Sequence, residues 1–384
     1  MRNCIQINLQ KNFGGGEVYT AAFTRALSGL GIATRLYVHP ESTAWAQMEL
    51  PEETQIVAVT DVDDLPRLLA EISPSWIVCH NFPPAGTVEA LKHQGHYVTA
   101  FAHMPLFKRT PKPLEPFDLI IPVSAYVRDT LRAGGLDQAY DEPLYGIAYL
   151  ERNATSTGLI QRNSCYDWDR RKVRERVLRR VEPIWEKLRP TRTFSRRSGL
   201  TLGVVSRLTT IKQFPLLFSL LAPVLARFPG MNLEIFGAGG FASVRDIRKA
   251  LEPIRTRVRY WGHQNDVAFV YSQLDALLTG LPEKEALGLN VIEAQSFGIP
   301  VLAPDAPPFN ETVLHGVTGL RYCDPRCDKG KSFGEMLERL NSGNFKIDPE
   351  AARLHLNRFS AAAFQQRCQR LSETVSKNMA ERHS

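Results

Sequence analysis

The sequence has no long apolar run, which excludes a protein that crosses a membrane by hydrophobic helices. None of its hydrophobic stretches approaches the roughly 18 residues that a membrane-spanning helix requires. The first residues, Met1 to Asn8, resemble a strand and lack the charged start and apolar centre of a secretion signal. We therefore expect a cytoplasmic protein.

Cysteine is scarce and scattered. The six cysteines lie at positions 4, 79, 165, 323, 327 and 368, which is not the spacing of a disulfide framework. Only Cys323 and Cys327 are close together, and no histidine or second cysteine pair near them completes a zinc set. The sequence thus predicts neither a disulfide-rich secreted domain nor a metal site.

The glycine spacing of a dinucleotide-binding loop is also missing. Instead, a strand-like start is followed by three consecutive glycines, Gly14, Gly15 and Gly16, then by Glu17 and a helix-like stretch from Val18 to Leu30. A glycine-rich loop between a strand and a helix lets an anion approach backbone N–H groups. Such a loop is either an anion site or only a flexible turn.

Positive charge is present but concentrated in one segment. The formal net charge is +7, and residues 151–197 alone carry 14 Lys/Arg against 6 Asp/Glu. Val173, Val177 and Val181 recur there at helical spacing among arginines, the pattern of a basic amphipathic helix. The segment either contacts an anionic membrane or a phosphate-bearing acceptor, lines a cleft between domains, or is a solvated helix.

Strand-like and helix-like stretches alternate along the chain, which predicts α/β architecture with parallel sheets. In open sheets of this kind, ligands bind beyond the carboxyl ends of the strands. His103 follows the strand Tyr97 to Phe101 and is a candidate ligand contact or a structural histidine, and His80 is placed similarly after an earlier strand. Ser124 is expected to cap the helix that follows the next strand.

The stretch from Glu285 to Pro300 carries two carboxylates with Gly288 between them. A strand ends near Thr279 and a helix is expected from Leu289, so Glu285 lies in a strand-to-helix loop and Glu293 within the helix. The positive end of a helix attracts phosphate, and a glycine there permits close approach. The spacing suits an elongated ligand with hydroxyls at both ends, such as a sugar nucleotide, or two solvated glutamates.

Arg207 and Lys212 leave the end of another strand, Leu200 to Val205, in the loop before a helix. Two fixed positive charges in such a loop bind a diphosphate by charge-assisted hydrogen bonds, although a surface pair is the commoner reading of an Arg/Lys pair alone. Gly237 and Gly239 close the next strand, Asn232 to Phe236.

Together these motifs resemble family 4 of the retaining glycosyltransferases, also called group 1 glycosyltransferases. The resemblance rests on the two spaced glutamates with Ala294, on Gly298 to Val301 and Glu311, on the Arg207-to-Lys212 spacing, and on the Gly-Gly-x-Glu loop. It implies the GT-B fold, in which two doubly wound Rossmann-like domains face each other across a cleft. We expect an N-terminal acceptor-side domain at 1–198 that includes the basic helical segment 151–198, a C-terminal nucleotide-sugar domain at 199–362, and a terminal helix, 363–384, that crosses back to the first domain.

The resemblance also implies an activity: retaining transfer of a sugar from a UDP- or GDP-sugar to a glycan or glycolipid acceptor, with no metal cofactor and no nucleic acid. We expect a role in envelope lipopolysaccharide or capsule synthesis, with the cytoplasmic protein either free or peripheral at the inner membrane face. By position, the catalytic residues are Arg207 and Lys212, which stabilise the diphosphate, Glu285, which holds the transferred sugar, and His103, which contacts a sugar hydroxyl or the acceptor. Glu293 is placed on the ribose, and further donor contacts fall on Gly15, Gly16, Gly237, Leu287, Gly288 and Leu289.

The sequence departs from the family pattern at two places. Ala286 and Leu287 precede Gly288 where the family commonly has Gly-Phe-Gly, and Pro307 to Phe309 replaces a Gly-Gly pair before Glu311. Both differences put the identity of the donor sugar in doubt. Two other readings stay open: an inactive GT-B-like basic protein that binds nucleic acid or membrane, and a sugar-nucleotide epimerase.

Overall fold

Two six-stranded parallel sheets organise the chain, as the alternating pattern predicts. The computed structural model describes residues 2–11, 14–147, 158–168, 172–188 and 193–383. Contacts divide it into two units, one formed by residues 1–147 and 357–384 and the other by residues 148–356. Within the described residues, no helix is both long and apolar enough to cross a membrane.

The first unit has the strand order β3-β2-β1-β4-β5-β6. The order reverses between β1 and β4, so the carboxyl ends of these strands form the switch point where ligands bind in open α/β sheets. The glycine loop follows β1 and His80 follows β4. The elements are β1 (Asn3–Asn8), α1 (Gly15–Ser28), β2 (Ala33–Val38), β3 (Gln55–Ala58), α2 (Leu65–Leu69), β4 (Trp76–Cys79), α3 (Ala85–His93), β5 (Tyr97–Ala102), β6 (Leu119–Pro122) and α4 (Ala125–Ala133).

The second unit has the strand order β12-β11-β10-β7-β8-β9, with its switch point between β7 and β10. Arg207 follows β7, and the loop that carries Glu285 follows β10. The elements are α5 (Val173–Leu188), β7 (Leu200–Val205), α6 (Phe214–Ala226), β8 (Met231–Phe236), α7 (Phe241–Ala250), β9 (Val258–Gly262), α8 (Val267–Ser272), β10 (Ala276–Leu278), α9 (Leu289–Ser296), β11 (Val301–Pro304), α10 (Phe309–Thr312), β12 (Gly319–Tyr322), α11 (Pro325–Asp328), α12 (Lys331–Asn341) and α13 (Pro349–Leu356).

The last helix, α14 (Ala361–His383), packs against α1 of the first unit. Its residues Phe364, Cys368, Leu371 and Val375 are fully buried at a spacing of three to four residues, which is one face of a helix. Removing such side chains from water is favourable by about 1.5–3 kcal/mol each for the large ones. The first unit therefore combines residues 1–147 with residues 357–384.

The boundary between the units lies near residue 147, not at the expected residue 198. The chain turns toward the second sheet earlier because residues 158–168 bond to its strand ends. The N–H of Asn163 donates to the carbonyl of Trp261 (2.9 Å), and the N–H of Asp167 donates to the carbonyl of Gly239 (2.8 Å). Residues 148–157, 169–171 and 189–192 of the basic segment lie outside the described residues.

Helix α5 places Glu175 and Glu182 toward the rest of the unit. Glu175 is 6% exposed, and the Glu182 carboxylate accepts hydrogen bonds from Ser164 and Trp168. Several apolar side chains point outward, with Val173 67% and Ile184 59% exposed. The valine stripe predicted from the sequence is therefore real, but it is not packed against the described chain.

Candidate functional site

The loops at the β7–β10 switch point are held together by backbone contacts. The N–H of Ser206 donates to the carbonyl of Phe236 (3.0 Å), and the N–H of Leu208 donates to the carbonyl of Ala238 (2.8 Å), so the Arg207 loop lies along the loop after β8. On the other side, the N–H of Leu281 donates to the carbonyl of Lys212 (3.2 Å). These bonds fix the backbone at both positively charged residues.

Two glycines make this close packing possible. A Cβ on Gly237, which has φ +136°, would lie 1.9 Å from the carbonyl oxygen of Ser206. A Cβ on Gly280 would lie 2.4 Å from the carbonyl oxygen of Lys212. Only glycine lets the strand-end loops approach this closely. Gly237 is thus placed beside the Arg207 loop, where the sequence-based assignment put a donor contact.

Lys212 and Glu285 form an ion pair. The Lys212 Nζ donates to Glu285 Oε2, and their side chains are only 20% and 13% exposed. Glu285 Oε1 accepts a bond from the N–H of Ala286 (3.2 Å). An ammonium group has three donors, so Lys212 retains donors for an anion while it is bound to Glu285. The structure brings these two predicted residues together across 73 positions of sequence.

Arg207 is exposed, and its guanidinium pairs with no carboxylate among the residues that the structure describes. It follows β7 at the switch point, one residue after Ser206. An arginine fork without a counterion presents a planar set of donors that matches a phosphate or carboxylate. This is a second positive charge in the loop that bears Lys212.

Helix α9 begins at Leu289, and the capping residue before it, Gly288, has the left-handed φ of +82°. In the described chain, the N–H groups of Leu287, Gly288 and Leu289 donate to no acceptor. Asn290 Nδ2 donates to the carbonyl of Val205 (3.0 Å), which ties the start of α9 to the end of β7. The helix therefore directs unsatisfied donors and its positive dipole end toward the strand that leads to Arg207.

Glu293 lies one turn into α9, as predicted, and bonds to Tyr271. The Tyr271 hydroxyl is 3.0 Å from Glu293 Oε2 and 3.2 Å from the carbonyl of Asn290. Burial raises the pKa of Glu293, and the hydrogen bond from Tyr271 acts in the opposite direction. The carboxylate keeps an oxygen available as an acceptor for ligand hydroxyls.

In the first unit, Gly15 and Gly16 form the first turn of α1, so the helix begins three residues earlier than the predicted Val18. The Thr20 hydroxyl donates to the carbonyl of Gly16 (2.9 Å). A Cβ on Gly16 would meet nothing within 4 Å, which leaves its backbone accessible. Residues 12 and 13 of the preceding loop lie outside the described residues.

His103 follows β5 and is paired with His80. His80 Nδ1 and His103 Nε2 are 3.2 Å apart, and His80 Nε2 is 2.9 Å from Gln6 Oε1. Burial lowers the pKa of His103 to about 4 and lowers the pKa of His80 well below its usual range, with the neighbouring His103 as a second cause. Both rings are therefore neutral at physiological pH.

Sequence reasoning missed the partners that hold these residues. Tyr271 gives no local signal, because it lies in an apolar helix and its hydroxyl bonds to Glu293, which is 22 positions away in the sequence. Gln6 and Asn8 did carry a signal, since both are polar and alternate with Ile5 and Ile7 in a strand-like run; the structure shows both buried. Ser124 caps α4 as predicted, accepting a bond from the N–H of Val127 (3.1 Å).

Solved structures share this architecture. Anabaena HepE, in complex with UDP and glucose, superposes with a TM-score of 0.69 over 97% of this chain and 99% of that chain, at 15% identity. The apo form of the lipopolysaccharide outer core galactosyltransferase WaaB gives a TM-score of 0.63 over 100% of both chains, at 18% identity. The fold is thus of the GT-B class, built from two Rossmann-like units.

Sequence comparison finds similarity to a known family over part of the second unit. Residues 193–331 match the family model described as glycosyl transferases group 1. An uncharacterized glycosyltransferase of Haemophilus influenzae is 31% identical over 123 residues, which are 32% of this chain and 34% of that protein. The chain therefore matches about a third of that curated relative's length. Residues 193–331, which include the switch-point loops, are thus the part of the chain that is similar to group 1 glycosyltransferases.

Proposed function

We propose that the protein transfers a sugar, with retention of its anomeric configuration, from a nucleoside-diphosphate sugar to an acceptor hydroxyl. The observation that carries this proposal is the Lys212–Glu285 pair beside the unpaired Arg207 and the open start of α9. A polyanion and a polyhydroxyl ring are the two chemistries that this arrangement suits. The HepE structure, which has a similar fold, contains UDP and glucose. This supports a UDP-sugar as the donor, with a GDP-sugar as the alternative.

In this proposal, Arg207 and Lys212 bind the diphosphate. Negative charge grows on the leaving diphosphate as the glycosidic bond breaks, so fixed positive charges there stabilise the transition state more than the ground state. The N–H groups of Leu287, Gly288 and Leu289 add neutral donors at the positive end of α9. These groups supply the charge stabilisation, so we expect transfer without a metal cofactor, and a chelator should leave turnover unchanged.

The carboxylates bind hydroxyls. Glu285 accepts from the transferred sugar while it orients Lys212, and Glu293, held by Tyr271, accepts from the ribose. Gly237 lies beside the Arg207 loop, where its backbone is available to the donor. For Gly15 and Gly16, support comes from the resemblance and from their place at the start of α1.

A donor panel tests the proposal. Thermal shift with UDP, GDP, ADP and their sugars should show stabilisation by one nucleoside diphosphate and by its sugar. The second step is hydrolysis or transfer of the labelled sugar by the donor that binds, with anomeric configuration read by NMR. No stabilisation by any nucleoside diphosphate at millimolar concentration contradicts donor binding, and an inverted product contradicts retention.

We further propose that the acceptor is an envelope glycan or glycolipid at the inner membrane face, with α5 as the membrane contact. On the outward side of α5, Arg176 and Arg180 flank the exposed Val173 and Val177, while Glu175 is buried. An apolar stripe with arginines beside it is suited to bind an anionic bilayer. The valines enter the boundary between headgroups and acyl chains, and the arginines bind the anionic headgroups. The likeness to the WaaB fold supports an envelope role.

Vesicle flotation tests this contact. The wild-type chain should bind phosphatidylglycerol vesicles and not phosphatidylcholine vesicles. Substituting Arg176→Gln with Arg180→Gln should weaken binding by about tenfold or more, at ~1 kcal/mol per arginine near the surface. The matched control is Arg245→Gln with Arg255→Gln, two exposed arginines elsewhere in the unit. Equal loss in both double variants contradicts a specific role for α5.

A further inference from the structure

A buried chain of hydrogen-bonded side chains leads from helix α1 to His103. It contains Thr24, Gln6 and His80, which are 0%, 0% and 5% exposed. Buried polar groups of this kind are costly unless each donor meets an acceptor. The direction of every hydrogen bond in this chain can therefore be worked out from the end whose donor and acceptor are known.

The fixed end is the backbone. The Thr24 hydroxyl donates to the carbonyl of Thr20 (2.8 Å), so its oxygen can only accept from the Gln6 side chain, 2.9 Å away. Gln6 must then present its Nε2 to Thr24. Its Oε1 is left facing His80 Nε2 at 2.9 Å, and this acceptor requires a hydrogen on Nε2.

The same logic passes through the two rings. A neutral His80 with a hydrogen on Nε2 has a bare Nδ1, and this atom accepts from His103 Nε2–H at 3.2 Å. The ring planes differ by only 17°, which suits a bond in the plane of both rings. Burial keeps both rings neutral, since it lowers the pKa of each. His103 therefore carries its hydrogen on Nε2, and its Nδ1 is unprotonated.

His103 Nδ1 has no hydrogen-bond partner within the described part of the chain, and the ring is partly exposed at the end of β5. Tyr19 and Phe101 pack against the ring and hold its orientation. The ring thus offers one lone pair in a fixed direction. Such an atom binds an O–H group and rejects a second acceptor.

We propose that Gln6 and His80 are positioning residues that set the tautomer of His103, so that His103 Nδ1 accepts a hydrogen bond from a hydroxyl of the sugar substrate. This inference rests on the proposed glycosyl transfer for the identity of the ligand, and not for the tautomer. The hydroxyl belongs either to the donor sugar or to the acceptor, and the chemistry of recognition is the same for both.

Nitrogen-15 NMR of histidine-labelled protein tests the tautomer directly. In the wild-type chain, the His103 signals should show a protonated Nε2 and a bare Nδ1, with His103→Gln used for assignment. Gln6→Glu should invert the pattern, because a carboxylate at this place favours a charged His80 that donates from both nitrogens. A wild-type His103 with its hydrogen on Nδ1 overturns the proposal without any variant.

Kinetics test the consequence. Gln6→Met removes the amide that fixes His80, and kcat/KM should fall by about ten- to a hundredfold, the effect of one misdirected hydrogen bond, while affinity for the nucleoside diphosphate stays unchanged. Separate kcat/KM values for donor and acceptor tell which of them supplies the hydroxyl. The control is Thr99→Val, which removes a buried bond to Trp76 in the same sheet and does not touch the histidines.

The outcomes separate the two proposals. If the wild-type chain transfers no sugar, the proposed function fails, and the spectra still decide the tautomer. If transfer occurs but Gln6→Met and Thr99→Val lose activity equally, with one unchanged His103 tautomer, Gln6 has only a structural role and the inference is wrong.

Discussion

Lys212 combines two roles at the scale of single residues. Its ammonium group donates to Glu285, and it has two further donors that we propose bind the diphosphate. Each partner reduces the cost of having the other mostly buried, since a lone charge in this position would be poorly solvated. The two side chains therefore hold each other in place.

We predict that Lys212→Ala lowers turnover by about ten- to a thousandfold, the range for losing one preorganised charge at the leaving group. Lys212→Arg should recover part of the loss because the charge is kept. Arg207→Ala should have a similar effect. Steady-state kinetics with the donor found in the panel provides the measurement. Turnover equal to that of the surface control Arg255→Ala would refute the assignment.

The neutral histidines tie stability to pH. An unfolded histidine takes up a proton near pH 6.5, whereas His103 in the folded unit takes one up only near pH 4. Because the unfolded chain binds the extra proton in this window, the free energy of unfolding should fall as the pH drops from 6.5 to 4, by about 1.4 kcal/mol per pH unit for each proton.

Urea unfolding at a series of pH values measures this slope. Acidic side chains also titrate in the same window, so the informative quantity is the difference between the wild-type chain and His103→Gln. The variant should show a shallower fall, since it has lost one of the protons taken up on unfolding. Identical slopes would show that His103 titrates normally in the folded unit.

At the scale of elements, the loops after the strands determine where the candidate site residues lie. The strands only bring their carboxyl ends to one edge, and the loops after β7, β8 and β10 then interlock through glycine. A residue with a Cβ at Gly237 would displace Ser206, and Arg207 follows directly. The loop after β8 therefore controls the position of a charge that lies in a different loop.

We predict that Gly237→Ala destabilises the second unit and weakens donor binding. The new Cβ would lie 1.9 Å from the Ser206 carbonyl oxygen, and φ is +136°. Gly240→Ala is the matched control in the same loop, because its Cβ would meet nothing within 4 Å. Calorimetry of unfolding and of nucleotide binding measures both effects. If both variants bind the donor alike, the loop does not position Arg207.

The sequence was sufficient for every strand except β12 and for the place of the switch-point residues, because strand-like runs, cap residues and glycines act locally. It predicted Glu285 in a loop and Glu293 in a helix, and both are found there. It could not give the Tyr271–Glu293 bond or the orientation of α5. Both depend on packing between distant segments, and a buried glutamate beside an exposed valine opposes the usual preference.

At the scale of the whole chain, the first unit is discontinuous. Residues 1–147 supply its sheet, and residues 357–384 supply α14. The boundary near residue 198 expected from the sequence was misplaced. The positive charge of residues 151–198 marks a change in composition, and it does not mark the point where the chain stops contacting one sheet and starts contacting the other. The bonds of Asn163 and Asp167 to the second sheet determine the true division.

We predict that Leu371→Ser lowers the stability of the first unit by about 2–5 kcal/mol, the range for truncating a fully buried large side chain. Gln366→Ser on the exposed side of the same helix is the control and should change little. Differential scanning calorimetry should show the loss in one transition. Equal melting of both variants would mean that α14 does not contribute to that unit.

The membership of α14 in the first unit has a consequence for synthesis of the protein. A ribosome that has produced residues 1–147 has made a complete sheet, but Phe364 and Leu371 are still some two hundred codons away. The apolar side of α1 must stay exposed throughout translation of the second unit. The first unit thus completes its fold only after residues 148–356 have been translated, and a chain terminated before α14 would leave this surface open to chaperones and proteases.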